Sequence, residues 1–459
     1  MSAERSSPHE GELTERARIE SALLGIVTES GLASATPAAI AGRVGIEERV
    51  FHRHFNDVQE VYFGLVSGFI DEFLDQVVGA FRTEAGWRNK IRAAAYSILR
   101  FFQEDETRAQ FTLTEMLSPD PRVQLLRDQA LAVMIDLIDE GRSELADPDS
   151  KSRATAEGVA GAIYTQVWIS LRGGSFADAD PHVSQLMYTV VLPYAGSATA
   201  LEELQIPPPD QGWARPPRPR VERPRSRYPG GVSEERSAAE VDTPEELGPL
   251  PAGRHGLSRE QVAHNQRERL VAGLAHAVAE HGYHDTTITH ITKAASVSRR
   301  VFYENFAGKE DCFLAAFDII VAHLRELMAD AAQPIPDWPH QVVAGLGAML
   351  RFFASEPELA RLSLIDSLAA GPVVGERYRT ALLGFAPMLE PGRAFRASAR
   401  PLPASREESL LGGLTSLISR SIASGRTEQL EELLPDLTEF LLTPYLGPDE
   451  AERLAAEVE

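Results

Sequence analysis

The stretch TTITHITKAASVSRRVFYENFAGKEDCF, Thr286 to Phe313, decides how this chain is read. Thr287 stands where a helix N-cap belongs, and Ile288, Ile291 and Ala295 follow at helical spacing, so a short helix turns these three inward. Ser296-Val297-Ser298 makes a tight turn, and Ser298 caps the next helix. That second helix buries Val301, Phe302 and Phe306 and leaves Arg299, Arg300, Tyr303 and Asn305 outward. Two short helices joined by such a turn form a helix-turn-helix, whose second helix fits the major groove of DNA. Upstream, Ser258-Arg-Glu-Gln261 has the form of a capping box. It opens a long amphipathic helix carrying Leu270, Leu274, Ala277 and Val278 and ending at Gly282.

Working outward, the chain repeats itself. LRFF occurs at Leu99–Phe102 and again at Leu350–Phe353, a spacing of 350 − 99 = 251. The same offset pairs Trp87 with Trp338, Gly141-Arg142 with Gly392-Arg393, and Pro193-Tyr194 with Pro444-Tyr445. It also pairs Val50-Phe51 with Val301-Phe302, Gly31 with Gly282, Ile40 with Ile291, and Phe55 with Phe306. Chance does not supply so many matches in one register, so the expectation is a duplicated unit and two similar domains.

At the matching place in the first copy stands IAGRVGIEERVFHRHFNDVQ, Ile40 to Gln59. The fold-determining residues survive: Ile40, Val44, Gly45, Ile46, Val50, Phe51 and Phe55, with Thr36-Pro37 as a cap followed by a first-turn proline. The outward residues do not. Ser298 becomes Glu47, Arg299 becomes Glu48, Tyr303 becomes His52 and Lys309 becomes Val58. Residues 293–310 carry four Lys/Arg against two Asp/Glu, whereas 42–59 carry three against three. Carboxylates at the start of a groove-entering helix would face phosphate, so the first head is expected not to read DNA in the usual way. Arg49, Arg53, His52 and His54 leave it a residual basic strip.

Between the copies, residues 206–256 are rich in Pro and Arg and then acidic and small, a composition that cannot bury a core. A disordered linker is expected there, spanning about 40 Å as a coil. Its arginines (Arg215, Arg218, Arg220, Arg223, Arg225, Arg227) read either as a soluble spacer or as a strip lying along phosphates.

Bulk properties bound the function. The chain has 459 residues, 43% hydrophobic and 24% charged, too long for one core. Abundant Leu, Ala, Arg and Glu with few aromatics favour an all-α fold. Net charge is −22, so binding to DNA must rest on a local positive patch. The single cysteine, Cys312, excludes an internal disulfide framework and fits a reducing cytoplasm. The polar N-terminus lacks signal-peptide character, and no apolar stretch is long enough to span a membrane. No Walker loop, dinucleotide fingerprint, HExxH or nucleophile elbow occurs. His52, His54, His276, His281, His284 and His290 lack metal-ligand spacing. The expectation is therefore no enzyme, no cofactor and no metal.

The pattern Thr287, Ile291, Ala295, Val297-Ser298, Phe302-Tyr303, Phe306 and Lys309 resembles the TetR family of bacterial repressors. One departure is Ser296, where that family usually has glycine; serine is costlier if the turn needs positive φ. The resemblance implies an all-α fold of two tandem units, each a three-helix head plus a helical-bundle regulatory body. The expected bounds are 12–61 (degenerate head), 62–205 (body), 257–311 (DNA-binding head) and 312–459 (body). It further implies DNA contact by Thr287, Ser298, Arg299, Arg300, Tyr303, Asn305 and Lys309. Thr287 and Lys309 would hold phosphate, and Arg299 and Arg300 would read bases or form a solvated face.

In that family the body holds a ligand pocket and its last two helices form a dimer interface. Here those helices are expected at about 153–172 with 181–194 and 405–424 with 427–445. The pairing is either an intrachain pseudo-dimer of the two units or a homodimer of chains. Pocket candidates are Phe101, Phe102, Phe111, Tyr164 and Trp168 in the first body, and Phe352, Phe353, Phe385 and Met388 in the second. Most of these would be core, and the repeated LRFF points to packing. The expected partners are a double-stranded DNA operator and an apolar small-molecule effector whose binding releases a repressor. The rival reading is a protein-interaction module that kept the fold and lost DNA binding.

Overall fold

Each head begins with a helix that a positive-φ glycine ends, at Gly31, or breaks, at Gly282. The computed structural model describes residues 8–105, 107–108, 111–112, 120–148, 151–172, 179–207, 259–367, 370–395 and 406–458. The capping box at Ser258, nearly all of the linker and the side chain of Trp168 lie outside the described residues. In the first half, α1 (Pro8–Ser30), α2 (Pro37–Val44) and α3 (Glu48–His54) precede α4 (Val58–Arg82), α5 (Trp87–Glu104), α6 (Pro121–Asp139), α7 (Arg153–Arg172) and α8 (Ala179–Glu203). In the second, α9 (Arg259–Asp285), α10 (Ile288–Ala294) and α11 (Arg299–Asn305) precede α12 (Lys309–Ala332), α13 (Trp338–Ser355) and α14 (Pro357–Arg361). Then come α15 (Pro372–Leu383), α16 (Arg406–Ala423), α17 (Leu434–Leu446) and α18 (Pro448–Ala456). Regular structure among the described residues is entirely helical.

The starts of α2, α3, α4 and α5 lie 251 residues before those of α10, α11, α12 and α13. Local chemistry explains this. Thr36 accepts the Ala39 N–H with Pro37 in the first turn of α2, and Thr287 accepts the His290 N–H at 3.3 Å to open α10. Gly31 (φ 78°) and Gly282 (φ 74°) take the backbone out of helical geometry at matching points, as glycine can without Cβ strain.

The repeated residues of the bodies turn out to form one bracket, built twice. Trp87 Nε1 donates to Leu137 O at 3.1 Å, and Trp338 Nε1 donates to Met388 O at 2.9 Å. Each indole meets a tyrosine edge-on, Tyr194 at 5.2 Å and Tyr445 at 5.3 Å. Gly141 and Gly392 lie under these rings; a Cβ there would come within 2.5 and 2.6 Å of the indole Cζ2. Leu99, Phe101, Phe102, Leu350 and Phe353 are buried, so the LRFF repeat is packing.

Two terminal helices differ from expectation. The stretch expected as a helix from 427 starts as a 3₁₀ segment, Thr427–Leu433, and becomes α-helical at Leu434, where Pro435 sits in a first turn needing no proline N–H. Beyond Tyr194, α8 runs on to Glu203 across a break at Gly196.

The halves meet where α7 crosses α16. Gly161 faces Ser416, and Gly412 faces Thr165; a Cβ would lie 2.6 Å from Ser416 Oγ in the first case and 2.7 Å from Thr165 Cγ2 in the second. Gly161 and Gly412 are 251 apart, as are Thr165 and Ser416, so one contact occurs twice with the halves exchanged. Phe440 presses on Gly158 and Gly413, Arg420 reaches Glu157 at 3.4 Å, and Lys151 bonds Glu439. A continuous apolar cluster runs through Val159, Ala162, Leu410, Leu414 and Ile418. The first head has its own separate cluster around Ile19, Leu23, Ile40, Phe51 and Tyr62.

Candidate nucleic-acid interface

The second head is built by α9, α10 and α11. Ile291, Ala295, Phe302 and Phe306 are buried and Val301 is half-buried, which turns the opposite face of α11 outward. On that face Tyr303 is 60% exposed and the Arg300 side chain 87% exposed. Ser298 caps α11 by accepting the Val301 N–H at 3.3 Å. The Arg299 guanidinium donates to Thr289 Oγ1 at 2.5 Å, a neutral partner that leaves its charge uncompensated. Arg300 pairs with Glu304 at 2.8 Å, and this bond raises its pKa, keeping it cationic.

Two of the sequence-predicted residues turn their side-chain donors back onto backbone carbonyls. Asn305 is half-buried, and its Nδ2 donates to Val301 O at 2.8 Å, so the amide donor turns back on its own helix. The Lys309 ammonium donates to Tyr283 O at 2.7 Å and His284 O at 3.1 Å and lies 4.4 Å over the Tyr283 ring. Two of its three N–H groups thus close the end of α9, leaving one for an incoming phosphate. Burial holds its pKa below the ordinary lysine value, with the Asp285 carboxylate opposing. Thr287 is exposed, with its hydroxyl on the His290 N–H and its own N–H facing His290 Nδ1 at 3.4 Å.

The turn itself carries strain. Ser296 has φ 51°, the positive-φ non-glycine residue among those described, and its counterpart 251 residues earlier is Gly45 at φ 76°. A residue that sequence reasoning missed holds this turn: Arg269, only 8% exposed, donates to Ala295 O at 2.6 Å and Ser296 O at 3.0 Å. Its counterpart Arg18 donates to Val44 O at 2.6 Å. Likewise Arg267 lies 4.7 Å over the Phe306 ring as Arg16 lies 4.4 Å over Phe55. The 251 offset alone could have pointed to both arginines.

In the first head four basic groups lie near carboxylates, while Arg53 stands exposed on α3. Arg49 pairs with Glu47 at 2.6 Å, Arg43 with Glu29 at 2.5 Å, His54 with Glu15 at 3.1 Å, and His52 lies 3.9 Å from Glu48. Glu47 sits at the N-cap of α3 without a side-chain cap bond, and half-buried Val58 packs on the head cluster where the second head has Lys309.

Of the nine residues read as pocket candidates, the eight with described side chains are dispersed through the packing. Phe101 and Phe102 pack on Phe73, whereas Phe111 belongs to the first head's cluster, 6.2 Å from Tyr62. Phe353 is buried, and Phe352 stands edge-on to His323 at 5.3 Å. Phe385 lies beneath Arg325, 5.2 Å from its guanidinium, while Tyr164 and Met388 are half-buried. Among the described residues no cluster of three metal-ligating side chains occurs, and no helix is long and apolar enough to cross a membrane.

Residues 270–316, from within α9 to the first turns of α12, match the sequence model of the bacterial regulatory proteins of the tetR family. Over these residues the chain carries a TetR-type head. A curated relative, the HTH-type transcriptional repressor AcnR of Corynebacterium glutamicum, is 26% identical over 114 residues, 24% of this chain and 54% of AcnR. The chain therefore spans about half the length of that curated relative. Among solved structures it is similar to the fatty acid degradation regulator FadR from Bacillus halodurans (17% identity, 38% of this chain, 97% of that chain, TM-score 0.36). It is also similar to FadR from Bacillus subtilis in complex with stearoyl-CoA (14%, 39%, 98%, TM-score 0.35). A third is a TetR family transcription regulator from Marinobacter aquaeolei (18%, 43%, 97%, TM-score 0.33).

Proposed function

We propose that this TetR-family chain is a cytoplasmic, sequence-specific DNA-binding regulator that reads its operator through α10 and α11, with the first head serving as a structural partner. The observation carrying this is the charge contrast between the two recognition helices. Arg299 bonds a neutral hydroxyl beside exposed Tyr303, with Arg300 paired to Glu304 on the same face; on α3, Arg49, His52 and His54 lie near carboxylates and exposed Arg53 remains. Arginine on such a face grips guanine O6 and N7, and a lost cationic contact weakens binding and its salt dependence. In this reading the chain is a tandem of two units, with heads at 12–61 and 257–311, bodies at 62–205 and 312–459, and a linker at 206–256. The exchanged contacts Gly161–Ser416 and Gly412–Thr165 favour an intrachain pseudo-dimer, because a two-fold interface repeats each contact in just this way. Repression follows from occupation of a promoter site, and the relative AcnR is named a transcriptional repressor. Release follows from an apolar effector that binds one arrangement of a body better than another.

Selection of bound sequences from random duplex DNA tests the assignment. Wild type and Glu47→Ala/Glu48→Ala are expected to enrich the same motif, and Arg299→Ala/Arg300→Ala to lose it. Absence of any enriched motif at low salt would overturn the reading in favour of a protein-interaction module.

A further inference from the structure

The seam between the halves forms a small, partly open cavity that the DNA-binding reading does not use. Its wall includes Thr155 and Arg406, Tyr188 and Glu439, and Pro193 and Pro444, each pair 251 residues apart. Matching positions from both halves thus face one space, which places the cavity on the approximate two-fold relating α7 to α16. The repeat is broken at the two pairs that matter chemically, since threonine faces arginine and tyrosine faces glutamate.

Arg406 is only 4% exposed, and its guanidinium carbon stands 4.1 Å over the Tyr188 ring. Neither Nη1 nor Nη2 has a hydrogen-bond partner among the described residues. The neighbouring carboxylates are already held. Glu439 bonds the buried Lys151 ammonium, and Glu407 is bonded by Arg393 and by the Tyr445 hydroxyl at 2.9 Å. Lys151 also lies 3.9 Å from Glu452, and Arg393 holds Glu407, so among the described residues no carboxylate bonds the Arg406 Nη atoms directly. A guanidinium does not shed its proton to escape burial, and an unpaired buried charge is strongly unfavourable, so the site calls for a counter-anion. The cavity measures about 30 Å³, above the ~10–15 Å³ needed to admit one water-sized group. That size suits one halide ion or one carboxylate group. A second negative charge would stand against Glu439.

We infer that this cavity binds one small monovalent anion, a halide or the carboxylate of a small acid, on the Arg406 guanidinium. Because both halves wall the site, a bound anion ties them together and favours the closed seam.

The ³⁵Cl NMR line width of dilute chloride, measured with the full chain, tests this. The wild type is expected to broaden the resonance beyond the Arg406→Met variant, and acetate to reverse the excess if carboxylates share the site. Persistence of the broadening in the presence of acetate marks the site as halide-selective, which also supports the inference. Equal broadening by wild type and Arg406→Met overturns it, as does no broadening by wild type. Should Arg406→Met fail to fold, Thr189→Leu fills the cavity from the α8 wall and keeps the guanidinium. Loss of broadening in Thr189→Leu supports the site, and wild-type broadening there refutes it.

Discussion

Replacing Gly412 by alanine separates two physical outcomes by sign. On an exposed helix the change stabilises by about 0.8–1 kcal/mol, because alanine loses less backbone entropy. Gly64 and Gly68 on α4 are exposed with open space around an added Cβ, so Gly64→Ala and Gly68→Ala should each show that gain. At Gly412 the added carbon would lie 2.7 Å from Thr165 Cγ2 on the other half of the chain. Relieving such overlap by parting helices or twisting Thr165 costs about 1–3 kcal/mol. Setting the propensity gain against it leaves a net loss of up to about 2 kcal/mol, a fall in melting temperature of roughly 4–8 °C for a unit of this size. Gly161→Ala, against Ser416 Oγ at 2.6 Å, should behave alike. Urea and thermal unfolding of the four variants read the sign directly. If Gly412→Ala and Gly161→Ala stabilise as Gly64→Ala does, α7 and α16 do not pack in solution and the intrachain pairing fails.

Four further outcomes are expected. Ser296→Gly relieves the φ 51° strain and should raise stability by about 1 kcal/mol, while Gly45→Ser should lower it comparably; unchanged unfolding midpoints in both would show the turn unstrained. Arg269→Met removes two charge-assisted bonds to turn carbonyls, so thermal unfolding should show a loss of about 1.5–3 kcal/mol, and gel-shift titrations weaker binding to every DNA sequence. Lys309→Ala should weaken binding on all DNA and flatten its salt slope, whereas Arg299→Ala should chiefly relax sequence preference; equal losses on specific and random duplexes for both would sink these roles. Burial raises the pKa of Asp366 to about 6 despite Arg361, so the native state binds a proton more readily than the unfolded chain. Its stabilising contribution is full below the unfolded value of 3.8 and is lost as pH rises through about 6. Asp366→Asn should thus gain on the order of 2–3 kcal/mol over wild type at pH 8, shrinking towards pH 4; a pH-independent difference in urea unfolding would contradict this.

The local grammar of the head was open to reading from the chain alone. Caps act over three residues and apolar stripes over three or four, so Thr287, Ser298, Ile291, Phe302 and Phe306 declare their places without tertiary help. The 251-residue register was likewise visible, because Trp87 and Trp338, or Gly31 and Gly282, are compared as letters. Ser296 also stood out early, since a residue in place of glycine names its own backbone cost.

Other features depend on packing that no short window contains. Arg269 reaches turn carbonyls 26 and 27 residues away, and Lys309 bonds carbonyls 25 and 26 residues upstream. Asn305, outward by helical spacing, is pulled back by its own Nδ2 bond to Val301 O. The seam brings Gly161 to Ser416 and Lys151 to Glu439, and leaves the Arg406 Nη atoms without a hydrogen-bond partner among the described residues. Helix identity follows from short-range steric and capping rules, so the sequence alone determined most of the helices, the pattern of the head and the 251-residue register. Which charges end up matched follows from which surfaces approach, and only the tertiary structure decided that.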